Sequence, residues 1–202
     1  MAFVGLERHS AAEVIELLRL QPHLEGGYYR ETYRSWYTVQ SVQGERSLCT
    51  SILYLLTDTS PSRFHRLRSD ELWFFHAGAA LALFVLGSVS EAEEPPLGDG
   101  GSAGAHQAPS PVILDSFCPQ VLVPAGRWVG AQVITGKYAD WGTSRLPERR
   151  WVSDRRGPQE LSWTLVGCVV SPGFHFEDFE LAEREALLRQ FPQAREVILA
   201  LT

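Results

Sequence analysis

One histidine and one glutamate, His65 and Glu71, stand close together in a stretch of the sequence that is otherwise rich in arginine and aromatic residues. An imidazole and a carboxylate that meet inside a protein suit two kinds of chemistry. They can ligate a first-row metal ion, or they can transfer protons when burial has moved their pKa values toward neutrality. His65 and Glu71 are therefore the candidate catalytic residues of this chain.

Whether these two side chains meet depends on the strands that carry them. Residues 63–67 and 71–76 are interpreted as neighbouring antiparallel strands joined by a short turn. Because side chains alternate between the two faces of a strand, the pair then shares one face with Leu67, Trp73 and Phe75. In the alternative arrangement the hairpin lies at the surface, and both side chains are solvated among neighbouring arginines. The flanking aromatic and aliphatic residues favour the inward arrangement.

The rest of the sequence predicts a β-rich fold. A capping box of Ser10 and Glu13 starts a short amphipathic helix that ends before Pro22. Many short strands separated by Pro and Gly are typical of a sandwich or barrel rather than of a parallel α/β sheet. A C-terminal helix is predicted at residues 178–190, followed by a short apolar tail at 197–201. The strands are predicted at residues 28–34, 48–56, 62–67, 71–76, 80–86, 112–115, 120–123, 127–134 and 161–170.

Length and composition indicate one domain with two insertions. A chain of 202 residues, 45% of them hydrophobic, is enough for a single well-packed domain spanning residues 1–202. Residues 88–110 are rich in Gly and Pro and are expected to form a mobile loop. Residues 137–159 are interpreted as a polar, arginine-rich excursion between two strands.

Charge and hydropathy exclude several classes of partner. The formal net charge is −6 and the basic residues form no stripe, so we expect no nucleic-acid partner. No apolar run is long enough to span a bilayer, so we expect no membrane partner. The three cysteines lack the CxxC spacing of a zinc or redox site. Because the first ten residues also lack a secretory signal pattern, we expect a cytoplasmic protein.

Four segments of the sequence resemble a known family. They lie at residues 20–33, 64–73, 119–128 and 165–182, and include LQPHLEGGYYRETY, SDELW and PQVLVPAGRW. His65, Glu71 and Gly78 follow the spacing of the second half of the first cupin motif, and residues 124–126 resemble the Pro-x-Gly of the second. The chain thus resembles the DUF985 or cupin-5 family of RmlC-like cupins. The resemblance implies an all-β jelly roll, the double-stranded β-helix of cupins, with short flanking N- and C-terminal helices.

The same resemblance bears on metal binding. Metal-binding cupins carry His-x-His in the first motif and another histidine in the second, but these positions hold Leu67 and Val129 here. Only His65 and Glu71 remain of the usual four ligands, whereas catalytic metal sites usually supply three from the protein. His76 is predicted to lie on the opposite face of its strand. We therefore expect no cofactor and no tightly bound metal, with weak divalent-metal binding at His65 and Glu71 left open.

Six further residues are candidates for ligand binding. Some are aromatic residues near the His–Glu pair or after the Pro-x-Gly motif, for which core packing or an interface is the alternative. The others form a polar segment that either has one wet strand face or contacts a ligand. The six are Tyr29, Arg30, Glu31, Trp73, Phe75 and Trp128.

The resemblance to RmlC-like epimerases implies a small-molecule ligand, with a carbohydrate or nucleotide sugar as the leading expectation. It also implies an epimerase- or isomerase-like activity that needs no tightly bound metal. Two alternatives remain, a non-catalytic ligand-binding or scaffold cupin with a filled interior and a metal-dependent cupin enzyme. A pocket with His65 and Glu71 at its floor favours the first hypothesis. Because small jelly rolls cover their sheet edges by pairing across a twofold axis, we also expect a homodimer.

Overall fold

Two antiparallel sheets form the body of the molecule in a computed structural model that describes residues 5–42, 44–87, 110–135 and 162–202. The strands in these residues are β1 (Gln21–Pro22), β2 (Tyr28–Arg34), β3 (Thr38–Ser41), β4 (Gly44–Ser47), β5 (Thr50–Thr57), β6 (Ser62–Leu67), β7 (Asp70–Gly78), β8 (Leu81–Leu86), β9 (Val112–Leu114), β10 (Gln120–Val123), β11 (Trp128–Val133), β12 (Trp163–Ser171) and β13 (Phe179–Leu181). One sheet has the order β1-β2-β5-β12-β7-β10 and the other β13-β6-β11-β8-β9, while β3 and β4 pair as a separate hairpin.

The two sheets pack face to face around a shared apolar core. Tyr54 and Trp73 from the six-stranded sheet meet Leu81 and Val129 from the five-stranded sheet. Leu55, the neighbour of Tyr54 on β5, points the other way and packs in a cluster on the outer face. Successive residues of β5 and β12 point to opposite faces of the sheet, and both faces are covered. This is why these two strands are apolar along their whole length.

Short helices cover the outer face of each sheet. α1 (Ala11–Leu18) begins at a capping box in which the Ser10 amide donates to the Glu13 carboxylate at 2.7 Å, and its buried Val14 packs on the six-stranded sheet. α2 (Arg184–Gln190) and α3 (Arg195–Ala200) cover the five-stranded sheet with Leu187 and Ile198. The predicted jelly roll with short flanking helices is therefore confirmed. In the described part of the chain, no helix combines the length and apolar character needed to cross a bilayer.

The predicted pairing of β6 with β7 is wrong. β6 lies between β11 and β13, and β7 lies between β12 and β10, so both edges of each strand are already paired. The turn between them carries the chain from one sheet to the other. His65 and Glu71 nevertheless both point inward, because the inner faces of the two sheets face each other.

The C-terminal region also differs from its prediction. Residues 179–181 pair with β6 as β13, so the helix begins at Arg184 and the predicted apolar tail lies largely in α3. The β3–β4 hairpin was not predicted, because its mostly polar residues carry no apolar alternation. The predicted mobile loop at 88–110, apart from Ser110, and the predicted excursion at 137–159 lie outside the described residues.

Candidate functional site

A pocket of about 190 Å³ lies between the inner faces of the two sheets. Its floor is buried, since the side chains of His65 and Glu25 are only 2% and 7% exposed. Its rim is open, since those of Arg34 and His175 are 42% and 48% exposed. The lining residues are His23, Glu25, Tyr29, Glu31, Arg34, Thr50, Ile52, Tyr54, His65, Leu67, Glu71, Cys168, Val170, Phe174, His175 and Phe176.

Glu25 reaches the floor from a tight turn between β1 and β2. The His23 amide donates to the Gly27 carbonyl at 3.0 Å and closes the turn. Gly26 and Gly27 have φ angles of 111° and 63°, in the left-handed region, and a Cβ on Gly27 would lie 2.6 Å from a methyl group of Leu56. Only glycine fits both positions, so the Gly-Gly pair is what turns Glu25 inward.

Three side chains hold the Glu25 carboxylate. Ser62 Oγ donates to Oε1 at 2.9 Å, and His65 Nε2 and His23 Nδ1 each lie 3.4 Å from Oε2. Burial opposes ionisation of Glu25, but the two imidazoles outweigh it and lower the pKa of Glu25 to about 2. Glu25 is therefore a fixed negative charge at the pocket floor at neutral pH.

A bulge in β6 directs His65 toward Glu25. His65 lies opposite Val129 of β11 whereas Ser62 lies opposite Ala131, so β6 accommodates one extra residue between the two pairs. The bulge lets Ser62 and His65 both face inward, although they are three residues apart. His65 Nδ1 lies 2.9 Å from the Arg63 carbonyl, which can only accept, so Nδ1 carries a proton. Because Nε2 faces a carboxylate, a doubly protonated imidazolium satisfies both acceptors.

Glu71 faces the same space from the opposite sheet. It lies near Trp73 and the Cys168 thiol, and its buried Oε2 atom has no hydrogen-bond partner among the described residues. Burial raises the pKa of Glu71 to about 7, with His65 opposing the rise and Glu25 adding to it. Glu71 therefore changes its protonation state near neutral pH.

The floor thus combines two carboxyl groups of opposite character around one imidazole. Glu25 stays ionised beside the His65 imidazole, while Glu71 can take up or release a proton. Neighbouring acids whose pKa values are moved in opposite directions are typical of sites for acid–base chemistry. This arrangement can transfer protons to and from a ligand in the pocket.

The rim carries an ion pair between Glu31 and Arg34. A register shift in β2 between Glu31 and Tyr33 changes the alternation, so that Arg34 rather than Tyr33 lines the pocket. Arg34 Nε and Nη2 donate to the two Glu31 oxygens at 2.9 and 2.6 Å, and Nη1 donates to the Phe174 carbonyl at 3.2 Å. Both charges at the rim are therefore already engaged within the protein.

Four of the eight predicted site residues line the pocket: His65, Glu71, Tyr29 and Glu31. Arg30 does not, because it lies opposite Leu53 of β5, which packs in the outer cluster, and so shares that outer face.

The three predicted aromatic residues also lie away from the pocket lining. Trp73 and Phe75 pack in the core between the sheets, where alternation along β7 directs them. Trp128 packs on the outer face beneath α2 and α3, with the Arg66 guanidinium 4.5 Å from its ring centroid. The position of Trp128 follows from β11, in which Val129 rather than Trp128 points inward.

The pocket lining also contains Glu25, Tyr54 and Cys168, which were not among the predicted site residues. The sequence does contain a signal for Glu25. It stands directly before Gly26-Gly27, a pattern that places a charged side chain on a tight turn rather than on a strand. Tyr54 and Cys168 stand in apolar strands, where alternation cannot distinguish a pocket wall from a filled core. Tyr54 Oη donates to the Gly26 carbonyl at 2.8 Å and so supports the turn that carries Glu25.

The pocket does not fit the ligand set of a metal-binding cupin. The two positions that hold histidine in those proteins are occupied by Leu67, which lines the pocket, and by Val129, which is buried in the core. His76 packs above Gly167, on the outer side of the sheet, and supplies no ligand. Within the described ranges, no three His, Cys, Asp or Glu side chains are arranged to hold a metal ion.

Comparisons with known proteins agree with this fold. The family model described as "Cupin superfamily (DUF985)" matches residues 12–182. A hypothetical protein from Leishmania major is 31% identical, with a TM-score of 0.73 and a match covering 96% of this chain and 99% of that one. A protein from Shewanella oneidensis is 32% identical, with a TM-score of 0.67 and coverage of 96% and 98%. No curated protein matches this sequence. The chain belongs to the Cupin_5 (DUF985) family of the cupin superfamily.

Proposed function

We propose that this cupin is an isomerase- or epimerase-like enzyme that moves a proton on a small carbohydrate-type ligand without a tightly held metal. The observation that carries the proposal is the pocket floor, where a buried imidazole contacts an ionised carboxylate and shares the pocket with a second carboxyl group, whose pKa burial raises to about 7. In a scaffold cupin, side chains would fill the interior and no such pocket would be present. The absence of histidine at positions 67 and 129 supports chemistry without a metal.

The proposed step is the removal of a proton from a carbon next to a carbonyl group. Glu71, as the carboxylate, takes the proton at its unpartnered Oε2, and the His65 imidazolium donates a proton to the carbonyl oxygen. The product of this step is an enediol, and return of the protons to different atoms or to the other face gives the isomer or epimer. Glu25 stabilises the imidazolium throughout. A well-placed acid or base of this kind contributes about 10²- to 10⁴-fold in rate.

Solvent deuterium exchange tests this proposal directly. The protein is incubated in D₂O with a panel of aldoses, ketoses and nucleotide sugars, and deuterium at the carbon next to the carbonyl is followed by NMR. We expect one compound to exchange and isomerise. His65→Ala and Glu71→Gln should each abolish the exchange, and the double variant should be little worse than either single variant, because the two groups act as one unit.

Matched controls keep the test specific. His9→Ala and Glu180→Gln remove the same side-chain types outside the pocket and should leave the rate unchanged, and circular dichroism should verify the fold of every variant. The wild-type rate should rise with pH through about 7, because the ionised form of Glu71 is the base. Exchange that survives in the double variant would show that other residues carry the activity. Binding of a sugar without any exchange would instead support a non-catalytic ligand-binding cupin.

A further inference from the structure

Arg34 is the one arginine or lysine among the described residues that line the pocket. It is already engaged by Glu31 through two hydrogen bonds of 2.9 and 2.6 Å. Two of the lining histidines use Nδ1 as an acceptor: His23 from the Glu25 amide at 3.4 Å and His175 from the Glu177 amide at 3.3 Å. Among the described lining residues, no arginine or lysine is therefore left over to neutralise a carboxylate or phosphate on a ligand.

The acidic groups of the lining are not balanced in the same way. Glu25 and Glu31 have the partners given above, but Glu71 adds a third carboxyl group whose Oε2 accepts no hydrogen bond from the described residues. When Glu71 is ionised, a ligand hydroxyl can donate a hydrogen bond to this atom, whereas an anionic oxygen has no hydrogen to donate and is repelled by it. The unpartnered atom thus favours a ligand that brings O–H groups and no negative charge.

The volume of the pocket and its aromatic walls also favour a small uncharged sugar. A volume of about 190 Å³ is below the range of roughly 300–1,000 Å³ typical of pockets for drug-sized ligands, so the enclosed space holds about one small ring. Tyr29, Tyr54 and Phe174 contribute apolar ring surface to the lining. Such rings pack against the C–H groups of a sugar, while carboxyl groups receive hydrogen bonds from its hydroxyls.

We propose that the pocket selects an uncharged polyhydroxy ligand of about one sugar ring and discriminates against the anionic form of the same ring. The inference rests on the proposed function in that it names the ligand class of the same site. Glu31 is the residue that sets this discrimination, because it neutralises the arginine at the rim. Removing its charge should convert Arg34 into a binding group for a ligand carboxylate.

Matched sugar pairs test the proposal by binding alone. Glucose, galactose and mannose, each with its uronic acid, are titrated against the wild-type protein by NMR at low salt and neutral pH. We expect at least one neutral sugar to bind, with an affinity about tenfold or more above that of its uronate. In Glu31→Gln the affinity for that uronate should rise by about three- to tenfold, because the freed guanidinium is partly exposed to solvent. The neutral sugar carries no charge for the freed guanidinium to attract, so the ratio of the neutral-sugar affinity to the uronate affinity should fall in this variant.

Glu180→Gln is the matched control. Glu180 accepts a hydrogen bond from Arg66 at 2.8 Å, so this variant removes the same charge and also frees an arginine, but outside the pocket lining. It should change neither affinity. A uronate that binds the wild-type protein as tightly as its neutral partner would overturn the inference. So would a failure of Glu31→Gln to strengthen uronate binding, or the absence of binding by all three neutral sugars at tens of millimolar.

The outcomes for the ligand class and for the activity are separable. If the charge preference is present but no deuterium exchanges, the proposed activity is wrong and the ligand class stands. If deuterium exchanges on a charged compound and the preference is reversed, the activity stands and the ligand class is wrong.

Discussion

Glu25 and Glu71 lie at one pocket floor, yet their environments make folding stability depend on pH in opposite directions. The pKa of Glu25 falls from an ordinary 4.5 to about 2, so its contribution to stability is complete above pH 4.5 and is lost as the pH falls through about 2. The pKa of Glu71 rises from 4.5 to about 7, so its contribution is complete below pH 4.5 and is lost as the pH rises through about 7. For these two groups together, stability is therefore greatest near pH 4.5 and falls on either side of that value.

Glu71→Gln should therefore stabilise the protein above pH 4.5, by an amount that grows up to about pH 7 and is constant beyond it. Glutamine has nearly the same shape but no charge, so the cost of ionising a buried carboxyl group disappears. We expect the free energy of unfolding, measured by urea denaturation, to exceed that of the wild type by about 3 kcal/mol at pH 8.5 and to match it near pH 4.5. Glu180→Gln, at an exposed position, should leave the profile unchanged. Parallel wild-type and Glu71→Gln profiles from pH 4.5 to 8.5 would contradict the raised pKa of Glu71.

At the scale of elements, two strand irregularities place the site residues. The bulge in β6 turns both Ser62 and His65 inward, and the register shift in β2 turns Arg34 inward in place of Tyr33. The sequence predicted the strands and the inward direction of His65 and Glu71, because alternation and apolar neighbours are local properties. It could not predict the bulges or the sheet to which β6 belongs, because these depend on pairing with strands far away in the chain.

The contrast between local alternation and long-range pairing also explains why Arg30 and Trp128 lie outside the pocket lining. Both were chosen for their chemistry, and the face on which each lies follows only once the sheets and their covering helices are known. Glu25 was missed for a related reason. Its partners Ser62 and His65 lie about forty residues further along the chain, and only the packed turn brings them together.

Arg46 connects the β3–β4 hairpin to the pocket rim through ion pairs with Asp178 and, at 3.4 Å, with Glu177. Arg46 Nε donates to Asp178 Oδ2 at 2.6 Å and Nη2 donates to Oδ1 at 3.1 Å, next to the rim segment that contains Phe176. The side chains of Arg46 and Asp178 are 10% and 6% exposed. Hydrogen bonding to Arg46 lowers the pKa of Asp178. The pair therefore differs from Arg66–Glu180, whose side chains are 40% and 55% exposed.

Two double-mutant cycles should show that the coupling energy of the buried pair exceeds that of the exposed pair. We expect the coupling energy between Arg46→Met and Asp178→Asn to be at least twice that between Arg66→Met and Glu180→Gln, because burial removes the screening of the first pair by water. The exposed pair should contribute about 0.2–1 kcal/mol. Chemical denaturation of the wild type, the four single variants and the two double variants gives both energies. Equal coupling energies would show that the hairpin is not held to the rim by this contact.

At the scale of the whole molecule, the sheet edges bear on self-association. The outermost strands of the two sheets are short, with two residues in β1, four in β10 and three each in β9 and β13, and short edge strands resist pairing with other chains. β2 is the exception. β1 pairs only with Tyr28 and Tyr29, so the outer edge of residues 30–34 has no strand partner among the described residues. Tyr33 in this part of β2 is 51% exposed.

This edge leads us to predict a homodimer. An uncovered strand edge presents backbone N–H and C=O groups that a second copy of the same strand can pair with across a twofold axis. Light scattering at micromolar concentration should give the mass of two chains. Thr32→Pro, which removes a backbone donor on this edge strand, should shift the mass toward one chain, whereas Thr38→Pro in the separate β3–β4 hairpin should not. A wild-type mass of one chain would contradict the dimer, and a Thr32→Pro dimer that is as stable as the wild type would place the interface elsewhere.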